Sequence, residues 1–199
     1  MISWVLFLTG CRQGVVSEID TDQVDTAQVT SVETTDEEVQ VDDDAIFDVN
    51  PDDLPQGPQP CRAPVLGWAD EVIDGDTMWI EADSGWESVR FIGVNSPEMN
   101  WNNGDPDCYA QEAHEFAREI LEKRWVWISF DVTCEDAYGR TLGYVHVGTH
   151  EQDFFQRRLL RGGYAWAYAW EGTDTYSGVF AQDQARAMSE DQGLWGNCP

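Results

Sequence analysis

Of the 199 residues, 38 are Asp or Glu and 11 are Lys or Arg, giving a formal charge of −27. That length holds one ordinary domain with extensions and is short for two. The 10 Trp, 8 Phe and 6 Tyr exclude a uniformly disordered acidic polymer, which would lack aromatics, and the charge excludes a protein that holds nucleic acid on a broad basic surface.

The chain opens with an apolar run from Met1 to Gly10 that is too short to cross a bilayer and stops at Cys11. Leu8-Thr9-Gly10-Cys11 resembles the lipobox of bacterial lipoproteins. Residues 1–11 are therefore expected to be a signal peptide with lipidation at Cys11, exporting the protein and anchoring it to the membrane of the cell envelope. The absence of Lys or Arg ahead of the apolar run departs from that pattern, and Arg12 after the cysteine favours an outer-membrane address. Residues 12–60 carry 14 acidic residues and one basic residue, a net −13, with Phe47 as their only aromatic and Pro51, Pro55, Pro58 and Pro60 at their end. Charge repulsion and scarce apolar groups leave little to offset chain entropy, so a disordered acidic linker is expected. A flexible coil of about 49 residues spans roughly 40 Å.

Residues 61–199 read as the folded domain, and its cysteines fit an exported protein. Cys61, Cys108, Cys134 and Cys198 contain no Cys-x-x-Cys zinc spacing and form an even set, so two disulfides are expected. Three connectivities exist; the favoured one is Cys61–Cys198, closing the ends of the domain, with Cys108–Cys134 inside. Strands are expected at Val65 to Ile73 and Thr77 to Glu81 around an Asp74-Gly75-Asp76 turn, then at Ser88 to Val94. Another runs from Trp125 to Val132, with Val126, Ile128, Phe130 and Val132 on one apolar face, and a last one spans Thr141 to Val147. Tyr109, Ala113, Phe116, Ala117, Ile120 and Leu121 form one stripe of a helix over 109–122. Further helices are expected at 151–161, ended by Gly162-Gly163, and at 177–191 with Ala181, Ala185 and Met188 inward. Five short strands with three helices predict a small barrel of the OB type.

Phosphate-loop, nucleophile-elbow and zinc-helix motifs are all missing, and His114, His146 and His150 lack metal-ligand spacing. What remains is carboxylates and arginines at turns: Asp74-Gly75-Asp76-Thr77, Arg90, Asn95-Ser96-Pro97-Glu98 and Asp136-Ala137-Tyr138-Gly139-Arg140. Each alone reads as an ordinary turn or surface charge. Together they supply hard oxygen ligands, a base and planar cationic donors, the set that phosphodiester hydrolysis requires.

Across nearly all of 61–199 the sequence resembles the staphylococcal (thermonuclease-type) nucleases. The resemblance rests on Val72-Ile73-Asp74-Gly75-Asp76-Thr77, on Val89-Arg90-Phe91-Ile92-Gly93-Val94-Asn95-Ser96-Pro97-Glu98 and on Cys108-Tyr109-Ala110-Gln111-Glu112-Ala113. It continues through Asp136 to Val145, Leu160 to Ala165 and Gly193-Leu194-Trp195-Gly196. It implies a five-stranded OB barrel with three α-helices and a Ca²⁺-dependent nuclease acting on DNA and RNA. By that resemblance Asp76, Asn95 and the Ser96 carbonyl are the metal ligands, Glu98 handles the attacking water, and Arg90 and Arg140 clamp the phosphate. Tyr138, Tyr168 and Trp170 fall at nucleotide-contacting positions. The family usually has Asp where this chain has Asn95, so calcium affinity is expected to be lower. No obligate protein partner is inferred. The alternative is a weak or inactive module of the same fold binding nucleic acid or protein, against which stands the retention of Asp76, Arg90, Glu98 and Arg140.

Overall fold

The computed structural model describes residues 45–102, 104–169 and 175–199. Cys11, the expected signal peptide, residues 12–44 of the expected linker, and Trp170 lie outside the described residues.

Alternation of apolar and polar residues builds a closed barrel. Its strands are β1 (Val65–Asp74), β2 (Thr77–Ala82), β3 (Gly85–Phe91), β5 (Arg124–Ser129) and β6 (Thr141–His146), with the two-residue β4 (Val94–Asn95) between β3 and β5 in sequence. Around the barrel the order is β1-β2-β3-β6-β5, with β5 returning to β1 and only the β3–β6 contact parallel. On β2, Met78 and Ile80 point inward while Trp79 and Glu81 face out; on β5, Val126 and Ile128 point inward. β4 pairs outside the barrel with β7 (Trp166–Ala167), joining Asn95 to Trp166.

Three helices pack on this frame. α1 (Ala110–Leu121) buries Ala113, Ala117, Ile120 and Leu121 along the stripe its sequence shows. The segment expected as one helix over 151–161 is a 3-10 turn at Glu151–Asp153 followed by α2 (Phe155–Arg161). α3 (Ser177–Ser189) is followed by a final turn, α4 (Leu194–Asn197). The inward face of α3 differs from expectation: Phe180, Asp183 and Ala187 are buried, whereas Ala181, Ala185 and Met188 are exposed. The reason is electrostatic. Asp183 takes Arg157 at 2.6 Å and Arg161 at 2.8 Å, and this ion-paired anchor sets the helix phase where small apolar residues give a weak signal. The β5 strand likewise ends at Ser129, leaving Val132 exposed and off the expected apolar face.

Two corrections concern the start of the domain. Residues 45–60, expected as disordered linker, lie against the barrel. Ile46 and Leu54 are buried, and the Ile46 carbonyl accepts from Trp127 Nε1 at 2.9 Å. Gly57 N donates to Phe130 O at 2.8 Å, Cys61 N to Asp131 O at 2.8 Å, and the Tyr176 hydroxyl to Gln56 O at 3.1 Å. A Cβ at Gly57 would run into the Asp131 carboxylate. Two apolar anchors and paired backbone groups hold this segment although it continues the acidic stretch before it.

The same strap decides the disulfides. They are Cys61–Cys134 and Cys108–Cys198, with Cα separations of 5.6 and 5.8 Å, not the expected Cys61–Cys198 and Cys108–Cys134. The strap runs beside the end of β5 and so delivers Cys61 to Cys134 in the following loop, not to the C-terminus. Bridging 73 and 90 residues, each stabilises the fold by roughly 4–5 kcal/mol in the chain-entropy account.

Beneath the strap, Ser129 Oγ donates to the Pro55 carbonyl and lies 2.8 Å from His146 Nε2. Because Ser129 uses its one hydroxyl proton on Pro55, the imidazole is the donor in the second contact. Burial pushes the His146 pKa down to about 3, against a smaller opposing contribution from the Pro55 carbonyl. The unfolded chain takes up a proton here below about pH 6.5 while the native imidazole stays neutral. Stability from this group is therefore full above pH 6.5 and falls with acidification at about 1.4 kcal/mol per pH unit until the native pKa is reached. Chemical denaturation at pH 7.5 and pH 5 should show His146→Gln losing less stability on acidification than the wild type. Equal pH slopes in the two proteins would contradict the assignment.

Candidate active site

The Asp74-Gly75-Asp76 turn closes β1 onto β2 and sends Asp76 inward. Asp74 Oδ1 accepts from Asp76 N at 3.0 Å, fixing the turn. The Asp76 side chain is buried, with Oδ1 accepting from Thr77 Oγ1 at 3.0 Å and Oδ2 from Ser96 N at 2.6 Å. That second bond ties the turn to β4, 20 residues later.

Arg90, at the end of β3, fills the space between them. Its Nη1 donates to the Phe91 and Val94 carbonyls at 3.0 and 2.8 Å. Its Nη2 reaches Asn95 Oδ1 at 2.9 Å and Asp76 Oδ2 at 3.1 Å. Asp76, Asn95, Ser96 and Arg90 are thus one connected cluster.

Glu98 follows on an exposed loop closed on itself: Asp107 N donates to the Glu98 carbonyl at 3.0 Å, and Glu98 N donates to Asp107 Oδ2 at 3.2 Å. The next residue, Cys108, is held to Cys198 by the second disulfide. Burial pushes the Glu98 pKa up and the neighbouring Asp76 charge adds to this, while Arg90 and Arg140 oppose it. The charges acting on Glu98 thus include the expected metal ligand Asp76 and both expected phosphate-clamp arginines. Asp74 is raised further, to about 7, by burial and by Asp76.

Arg140 enters from the loop between β5 and β6. Asp136 knots that turn: its Oδ1 accepts from Tyr138 N at 2.8 Å and Arg140 N at 2.9 Å, and its Oδ2 from Arg140 Nε at 2.7 Å. Burial alone would raise the Asp136 pKa, but these bonds outweigh it and hold the carboxyl low, hence ionised. The terminal nitrogens of Arg140 have no protein acceptor among the described residues, so they are available to an anion. Gly139, at φ 79°, permits the turn. Tyr138 is 83% exposed beside it, with the guanidinium carbon 5.6 Å from the ring centroid.

Tyr168 is exposed just after β7, and its N–H donates to Gly93 O at 2.9 Å. Sequence reasoning missed Thr77, Asp107 and Asp136 as positioning groups. Asp136 and Thr77 sit inside motifs already singled out, whereas Asp107 has no local signal because its partner is nine residues away.

The donor set suits a hard cation. Asp76 Oδ, Asn95 Oδ1 and the Ser96 carbonyl are all oxygens, the ligand type a hard cation takes. Among the described residues no group of three or more His, Cys, Asp or Glu side chains forms a metal cage, so carbonyl and amide oxygens and water would complete the shell.

A family model described as staphylococcal nuclease homologue matches residues 88–197. That span contains Arg90, Asn95, Ser96, Glu98, Tyr138 and Arg140; Asp76 precedes it and is joined to it through Ser96 and Arg90. The chain is similar to the thermonuclease of Staphylococcus intermedius, 35% identical over 124 residues covering 62% of this chain and 72% of that protein. It is also similar to the thermonuclease of Staphylococcus hyicus, 32% identical over 126 residues covering 63% and 73%. Endonuclease YncB of Bacillus subtilis is 30% identical over 128 residues, covering 63% of this chain and 59% of that protein.

Proposed function

The chain belongs to the staphylococcal nuclease family and is a phosphodiester-cleaving hydrolase, and from that premise we propose that it is a calcium-dependent nuclease of DNA and RNA, exported and tethered to the cell envelope through Cys11. The observation that carries the catalytic reading is the joining of Asp76, Arg90, Asn95 and Ser96 in one cluster, with Arg90 Nη2 2.9 Å from Asn95 Oδ1 and 3.1 Å from Asp76 Oδ2, and Ser96 N donating to Asp76 Oδ2 at 2.6 Å.

Hydrolysis of a phosphodiester needs a water relieved of its proton, an attack in line with the leaving oxygen, and compensation for the charge that develops on the phosphoryl oxygens. Glu98 serves as the proton acceptor, since burial and Asp76 make it a better base than a solvated carboxylate. Arg140 offers its free terminal nitrogens to the phosphate as a planar, bidentate donor. Arg90 adds a second fixed positive charge, and the exposed Tyr138 ring offers a stacking surface for a base. Asp76, Asn95 and the Ser96 carbonyl would hold calcium, which when bound supplies Lewis-acid neutralisation of the phosphate.

Export is supported by the two disulfides, which persist in oxidising compartments. Among the described residues no helix is long and apolar enough to cross a membrane. In a bacterial host, metabolic palmitate labelling should mark the wild type and not Cys11→Ala; labelling of both would remove the lipid anchor from this reading.

Plasmid DNA incubated with the protein should be cut with Ca²⁺ present and left intact in EDTA. Arg140→Ala should lower kcat/KM by about 10²–10³, the loss expected for one preorganised charge donor. Undiminished cleavage by that variant, or no calcium-dependent cleavage at all, would favour an inactive binding module instead.

Asn95 contributes an oxygen without a charge. In the same assay Asn95→Asp should lower the half-saturating Ca²⁺ concentration, because carboxylate count tunes calcium affinity. An unchanged calcium requirement would remove position 95 from the ligand set.

A further inference from the structure

The outward face of the barrel is unusual at the end of β2 away from Asp76. Solvent-facing positions of a sheet are ordinarily polar. Here the strand register sets Trp125 opposite Trp68, Trp68 opposite Glu81, and Glu81 opposite Trp86, forming one row across β5, β1, β2 and β3. Trp86 is 56% and Trp125 39% exposed. The Trp68 and Trp125 rings meet at 5.7 Å with planes at 70°, forming a corner, and the 53%-exposed Phe47 extends the wall by meeting Trp125 at 5.7 Å. Isolated surface aromatics need no explanation; a contiguous row with a shaped hollow does.

A cleft of about 370 Å³ sits at this corner, lined by Leu66, Trp68, Glu81, Ala82, Asp83 and Trp125. The Glu81 and Asp83 side chains are the cleft's only charged groups, and neither makes a hydrogen bond or ion pair among the described residues. Two cations near this side of the barrel are engaged elsewhere: Lys123 on Asp70 at 2.5 Å and Arg62 on Glu87 at 2.5 Å.

Two indole walls at an angle with two unpaired carboxylates select a particular ligand chemistry. A phosphate would be repelled, so the cleft is not an extension of the nucleic-acid site. A bare ammonium ion is strongly hydrated and gives up its water reluctantly. An alkylated ammonium group is bulky and weakly hydrated, its charge attracted both by the negative faces of the rings and by the carboxylates. We propose that the Trp68–Trp125 corner, with Glu81 and Asp83, is a binding site for an organic cation of the quaternary-ammonium class. Asp76 and Glu81 are five residues apart along an extended strand, about 17 Å, so this site operates apart from the catalytic cluster.

Choline chloride titrated into the full chain should saturate the tryptophan fluorescence change and give heat by calorimetry, with Kd on the order of 1 mM. Its uncharged isostere 3,3-dimethylbutan-1-ol should bind at least about 10-fold more weakly. Trp125→Leu should abolish choline binding, and Glu81→Gln with Asp83→Asn should weaken it several-fold, while calcium-dependent DNA cleavage is unchanged in both. The double carboxylate variant alters only exposed side chains and keeps the test decisive if Trp125→Leu fails to fold. Equal affinity for the neutral isostere would make the cleft a merely apolar groove. Saturable binding of cellotetraose in place of choline would make it a sugar platform. Either result, or no saturation by choline up to about 50 mM, overturns the proposal.

Discussion

A guanidinium wedged between two strand ends organises the catalytic end of the barrel. Arg90 leaves β3, spans the Phe91 and Val94 carbonyls, and ends on Asp76 and Asn95. Its side chain and that of Asp76 are 13% and 4% exposed, so their charges face each other with little water to screen them. Removing one partner of such a pair typically costs about 3–5 kcal/mol, because the other is left charged and buried. Arg90, proposed to bring positive charge to the phosphate, is therefore also the residue that makes it tolerable to bury Asp76. Arg140, anchored on Asp136 at the mouth of its turn with its terminal nitrogens free, separates the chemical role from the structural one.

The surplus of negative charge is managed locally. Of the domain's ten basic residues, seven engage a carboxylate among the described residues: Arg62, Arg90, Lys123, Arg140, Arg157, Arg161 and Arg186. Glu87 shows what such pairing does. Burial alone would raise its pKa, but Arg62, Ser84 and Thr141 hold it down to about 2, fastening the start of the domain to β3 and β6. Positive charge is thus committed to particular joints and not displayed as a surface. On the proposed function, substrate affinity would rest on a few aimed groups and on stacking, and less on counterion release from a broad phosphate footprint.

Much of the architecture was legible because it depends on short-range patterns. Alternation in β2 and β5 and the stripe of α1 follow from the geometry of strands and helices, and the turn motifs occur in the family order. Reading failed where a distant group decides. The face of α3 is set by Asp183 meeting two arginines of α2, and no periodicity in 177–191 records that. β4 and β7 are two residues each, too short to carry a pattern, yet their pairing fixes where Asn95 sits. Residues 45–60 continue the acidic stretch but hold its one aromatic, Phe47, and all four of its prolines, and the surface that receives them on β5 lies far along the chain.

By itself the sequence determined the barrel, its helices, the family, and the residues proposed for the candidate site, since each is written in contiguous motifs. Tertiary structure alone decided which cysteines meet, how the strap covers His146, and how Asp76, Arg90, Asn95 and Ser96 come into one hydrogen-bonded cluster. These depend on through-space distances between segments tens of residues apart, set by strand order and closure of the barrel, which no local pattern of residues encodes.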